Sequence, residues 1–229
     1  MSEKICSYCG KSEKPKRINS SYIVQEIEHV LHFERGILYT IRELLTRPGQ
    51  NIRDFISENR SRLVKPILFI IVTSLIYTLI NHFFHIEGGY VKIEDTKEST
   101  GMVINNWIQH HYGYANIIMG VFIAFWLKLF FRKYDYNFFE ILIVLCFVMG
   151  MEMLLFSVFA LIEGLTHLQL MPIAAVTVFI YFSWAIGQFF DKTKPVNYVK
   201  ALVSYVLGML TFSLSTVVLI VLIDFVVKR

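Results

Sequence analysis

The chain has 229 residues, 55% hydrophobic and 15% aromatic, with a formal net charge of +4. A soluble domain would be about 45–50% apolar, and the excess is concentrated after residue 65 in runs too long for a soluble core and without the alternation of barrel strands. The modest charge fits cytoplasmic loops near anionic lipid better than a nucleic-acid binder, which would show a denser basic surface, so no nucleic-acid partner is expected.

Residues 1–65 hold 12 of the 22 Lys and Arg residues. Within them, residues 1–20 are polar and carry Cys6-Ser7-Tyr8-Cys9-Gly10. Two thiolates at this spacing make half of a zinc site, with the glycine permitting the turn behind the second sulfur. Zinc is the cofactor this pair would take. A full set needs two more ligands, from another chain's knuckle or from His29 and His32, which lie i,i+3 on an expected helix. The pair can equally be a degenerate knuckle, and the two histidines ordinary polar residues of an amphipathic helix. Three cysteines make no disulfide framework, and Cys146 falls inside an apolar run. The first 25 residues contain no apolar h-region, so no cleaved signal peptide is expected.

Residues 21–65 read as amphipathic helices. One covers 21–34, with Ile23, Ile27, Val30 and Leu31 on one side, and Gly36 is expected to interrupt it. A second covers 37–46, with Ile37, Leu38, Ile41, Leu44 and Leu45. Pro48-Gly49 is expected to turn the chain into a third, 51–63, with Ile52, Phe55, Ile56 and Leu63 apolar. Such helices lie in a membrane interface or pack on one another. Arg47, Arg53, Arg60, Arg62 and Lys65 are then the candidates to hold anionic lipid headgroups or a protein partner.

Five spans are expected at about 66–84, 115–131, 139–164, 170–190 and 199–227. Lys and Arg set the orientation. The basic arm, the link 132–138 with Arg132 and Lys133, and the link 191–198 with Lys192 and Lys194 belong in the cytoplasm. Loop 85–114 and the C-terminus then lie outside, although Lys228-Arg229 oppose that placement. Residues 132–139 and 192–199 form a weak repeat: basic residues, an Asn, then an aromatic entering a helix. Asn137 and Asn197 are the expected N-caps.

Glu152 falls near the middle of the third span. An ionised carboxylate there is expensive, so it should face the bundle interior or be held neutral. It serves either as a proton, ion or headgroup contact or as a carboxyl bonded to a neighbouring Ser, Thr or Tyr. Lys128 is near a span end and can snorkel. His82, His85, His110 and His111 read as scattered interfacial histidines, with a metal site from the four as the alternative. The sequence has no phosphate-binding Gly loop, His-Glu-x-x-His or Gly-x-Ser-x-Gly. An enzyme is not the expectation.

The arm resembles an uncharacterised family of bacterial inner-membrane proteins known as a domain of unknown function. The matching residues are Cys6, Cys9, Gly10, Arg17, Ile18, Gly36, Thr40, Leu44, Leu45, Arg47, Pro48, Gly49, Arg53, Arg60 and Pro66. The resemblance covers about residues 6–75 and the later spans only in hydropathy. It implies topology and compartment, and no activity. The fold expected is an all-α integral membrane protein: a cytoplasmic amphipathic arm and a five-helix transmembrane bundle. The function expected is an adaptor or assembly subunit that binds another membrane protein, or a second copy of itself, through the arm. The alternative is a small transporter or lipid-handling protein using Glu152 and the arm's arginines.

Overall fold

A computed structural model describes residues 33–58, 60, 62–84 and 112–227, and among them the only regular structure is helix. Cys6, Cys9, His29, His32, most of the loop 85–114 with His85, His110 and His111, and Lys228-Arg229 lie outside the described residues. The chain divides into two compact units, Met1–Gly36 and Ile37–Arg229, and only residues 33–36 of the first are described. The helices are α1 (Phe33–Thr46), α2 (Pro48–Ser57), α3 (Pro66–Phe84), α4 (Tyr112–Phe130), α5 (Phe138–Thr166), α6 (Met171–Asp191) and α7 (Pro195–Val227).

Four of them, α3, α5, α6 and α7, are long and apolar enough to cross a membrane. The fifth apolar helix expected, α4, is shorter by that measure, with its apolar stretch at Tyr114–Phe130. At 33 residues α7 is about 50 Å long, well beyond a hydrocarbon core.

Local chemistry accounts for most helix ends. Pro66 and Pro195 each open a helix, where a missing N–H costs nothing. Asn137 caps α5: its side chain accepts from Glu140 N at 2.8 Å, and Glu140 Oε2 accepts from Asn137 N at 2.7 Å. This is a full capping box. At its far end α5 stops at His167, which takes a left-handed conformation with φ 56°.

Helix α5 is the hub. It packs against α3, α4 and α6, while α7 lies across α4 and α6. Phe147, Val148, Met149 and Met151 are buried along it. Thr73, Ser157 and Ser204 are buried polar residues of the spans, and each donates to the carbonyl four residues back on its own helix. Their hydroxyls therefore need no partner from another helix. At the end where α5 and α7 begin, an aromatic cluster closes the bundle. Phe131 stacks on Phe190 at 3.8 Å, and Tyr136 sits 4.7 Å from Phe189. Such pairs contribute about 0.5–1.5 kcal/mol each beyond area burial.

Three local expectations are corrected. Gly36 does not break α1, which runs from Phe33 to Thr46. A lone glycine lowers helix stability by only about 1 kcal/mol, and the helix on either side absorbs it. The third amphipathic helix is Pro48–Ser57 rather than 51–63, with Leu63 buried in the irregular connection after it. Asn197 does not cap α7, since Pro195 starts the helix two residues earlier.

Candidate functional site

Helices α1 and α2 meet at Arg47, and this hairpin is anchored in the bundle mainly by α2, which packs on α6 and α5. On α1, Thr40 and Leu44 are one helical repeat apart and fully buried. Thr40 Oγ1 accepts from Val64 N at 3.1 Å, and the Leu44 carbonyl accepts from Tyr181 Oη on α6 at 3.2 Å. On α2, Ile52 and Phe55 enter the same core, and the Phe55 ring meets Phe147 of α5 edge-on at 5.1 Å. Asn51 closes the turn between the helices: its Nδ2 donates to the carbonyls of Glu43 and Arg47, both at 3.0 Å.

Gly49 makes the docking of α2 on α6 possible. A β-carbon there would lie 2.3 Å from the Gln188 carbonyl carbon and 2.5 Å from Phe189 N. The glycine serves close approach of two backbones, and its role in bending the chain is secondary because it lies inside α2. One turn on from Gly49, the Arg53 guanidinium donates to the carbonyls of Gln188, at 2.5 Å, and Phe189, at 2.7 Å. These carbonyls belong to the last turn of α6, where backbone oxygens lack helical partners and a cation is favoured. The same guanidinium acts electrostatically on Tyr136, whose phenol is pushed up by burial and pulled back by Arg53.

The arm's candidate cations therefore separate into two groups. Arg53 holds α6. Arg62 donates to Tyr39 Oη and to Glu43 Oε2, both at 3.1 Å, and lies 3.6 Å from Asp54 Oδ2, tying α1 and α2 to the connection. Arg47, Arg60 and Lys65 are exposed and have no ion pair among the described residues. Arg42, Arg132, Lys133 and Lys192 are exposed as well. Lys128 turns to the Tyr136 carbonyl at 2.6 Å.

Glu152 lies midway along α5 and is 1% exposed. Tyr205 Oη of α7 donates to its Oε2 at 3.3 Å, while Oε1 is buried without a partner among the described residues. Two helices, α5 and α7, thus meet at this carboxyl, while the Tyr181 hydroxyl of α6 goes to the Leu44 carbonyl of α1. The carboxyl keeps one open position for a hydrogen bond. Tyr181 and Tyr205 escaped sequence reasoning, because each meets its partner through another helix. The only local signal was a tyrosine within an apolar span.

No cluster of three or more His, Cys, Asp or Glu side chains that could hold a metal occurs among the described residues. Glu163 has a structural role. Its Oε2 accepts from Leu170 N at 2.7 Å and Met171 N at 3.0 Å, capping α6 from the preceding helix.

A family profile described as "Protein of unknown function (DUF3667)" matches residues 34–78. That stretch comprises α1 from its second residue, α2, the connection and most of α3. No curated protein and no solved structure matches the chain.

Proposed function

We propose that this chain is an adaptor or assembly subunit of a bacterial inner membrane, with α1 and α2 at the cytoplasmic face as its binding element. The chain crosses five times in this reading, with α4 as the second crossing and the C-terminus outside. One observation carries the reading. Helix α1 exposes Leu38 (69%) and Leu45 (47%) with Arg42 between them, while its Thr40 and Leu44 side is fully buried. Residues 38, 42 and 45 follow i, i+4, i+7 and make one outward stripe. An apolar stripe around a cation, fixed by the folded hairpin, suits an apolar partner helix with an acidic residue. The partner is another membrane protein or a second copy of this chain. Arg47, Arg60 and Lys65 then face anionic headgroups at about 1 kcal/mol each. Zinc held by Cys6 and Cys9 belongs to the same proposal, and metal analysis of wild type against Cys6→Ser tests it.

The test is position-specific photocrosslinking in native membranes. A crosslinker at position 38 or 45 should give a discrete protein adduct, and one at Ile71, on the outward side of α3, should not. Arg42→Glu should remove the adduct, and absence of any adduct at both positions would overturn the reading. A second reading, a small transporter or lipid-handling protein, draws on the unpartnered Glu152 oxygen. It requires Glu152→Gln to abolish function in cells while the adducts persist. The near-complete burial of Glu152 favours the adaptor.

A further inference from the structure

We propose that the furrow between α6 and α7 is a binding site for an anionic phospholipid, with one acyl chain along the furrow and the phosphate at Lys192. The furrow has a volume of about 610 Å³ and is lined by Ile180 and Trp184 of α6 and by Val199 and Leu202 of α7. Ile180 and Val199 are 64% and 62% exposed, so the furrow opens outward between two helices long enough to cross a membrane. Its closed end has a cause in the sequence. Gly187 lets the Tyr198 ring lie directly on α6, where a β-carbon would come within 2.5 Å of Tyr198 Cδ1. Tyr198 forms the furrow's end and reaches on to donate from Oη to the Lys192 carbonyl at 3.2 Å.

The charge at that end selects the occupant. Lys194 is bound to Asp191 at 2.7 Å, and this contact pushes the Lys194 ammonium above its usual range. Lys192 is exposed and has no such ion pair among the described residues. Lys192, whose backbone carbonyl Tyr198 holds, therefore carries a cation without that commitment on the link beside the furrow's Tyr198 end. A neutral apolar helix would use the furrow and ignore the cation, whereas an anionic lipid uses both. Trp184 and Tyr198 belong near this end because indole and phenol favour the headgroup boundary. The site lies on other helices than the α1 stripe and stands whether or not that stripe binds a partner.

Bromine on an acyl chain quenches a nearby indole, so Trp184 can report occupancy. The full chain carrying Trp107→Phe and Trp126→Phe is placed in phosphatidylcholine vesicles containing a minor fraction of brominated phosphatidylglycerol or brominated phosphatidylcholine. Trp184 should be quenched by the anionic lipid at about fivefold lower mole fraction, the worth of one basic residue at a lipid surface. Lys192→Ala should abolish that preference and leave quenching by the neutral lipid intact. Val199→Phe, which fills the furrow, should weaken quenching by both lipids. Equal quenching by the two lipids in the Lys192-containing protein would overturn the proposal, as would a preference that survives Lys192→Ala. Protection of Trp184 from both lipids would assign the furrow to a protein segment instead and also overturn it.

Discussion

Gly49 is the residue on which the docking of the hairpin most depends. Its missing side chain leaves room for the α6 backbone, and backbone cannot move aside as a flexible side chain can. Gly49→Ala should therefore cost at least about 1–3 kcal/mol, the usual range for overpacking. A lowered thermal midpoint of the detergent-purified protein would register it. Arg53 and Arg60 offer a matched comparison, since both are arginines of the same basic stretch. Arg53→Ala removes charged hydrogen bonds to two carbonyls and should cost about 1.5–3 kcal/mol. Arg60→Ala, on an exposed side chain, should stay within about 0.5 kcal/mol. Equal effects in the same melting assay would refute this division of the cations. At Glu152, Tyr205→Phe removes the hydroxyl that reaches the carboxyl and should cost about 1–3 kcal/mol. Glu152→Leu combined with Tyr205→Phe removes both polar partners and should recover most of that loss, which a double-mutant cycle can measure.

At the scale of elements, the helix ends divide by whether their chemistry is local. Asn137 was legible as a cap because donor and acceptor lie three residues apart. Asn137→Ala should cost about 1 kcal/mol. Asn197 occupies the matching place in the apparent repeat and does something else. Its Nδ2 donates to Tyr134 Oη at 2.9 Å and to the Asp191 carbonyl at 3.2 Å, joining the link before α5 to the end of α6. Asn197→Ala should therefore loosen two separate links, seen as faster amide exchange around both 131–137 and 191–194. Faster exchange confined to the first turn of α7 would restore the simple cap. Pro195 was the available signal, since proline at the start of a helix fixes where the cap must fall. The N-terminus of α6 carries a local signal in Pro172, but its cap is Glu163 from across the turn.

For the molecule as a whole, the decisive fact is that residues 37–65 belong to the same compact unit as the spanning helices. A basic arm read from charge alone suggests a detachable domain. Leu44, Ile52, Phe55 and Leu63 instead share a core with Phe69, Phe147 and Phe189. Deleting the hairpin should accordingly destabilise the spans, and a truncated chain of residues 66–229 should give lower recovery of folded protein than the full chain. The proposed orientation requires the links 131–137 and 191–194 to be labelled from one side of the membrane and the turn 167–170 from the other. Single cysteines introduced there into a cysteine-free chain, treated with an impermeant thiol reagent, would decide it.

The helical class, the positions of the long apolar helices to within a few residues, and the basic character of one end are all legible in the order of residues alone. They follow from hydrophobic run length and from Lys and Arg counts, which depend only on neighbours along the chain. The duties of the polar residues became visible only once the helices were packed. Arg53 meets Gln188, Tyr181 meets Leu44 and Tyr205 meets Glu152 across separations of 53 to 137 residues. No periodicity encodes such partners. They are chosen when helices pack, because a polar group taken out of water must find its hydrogen bond within reach.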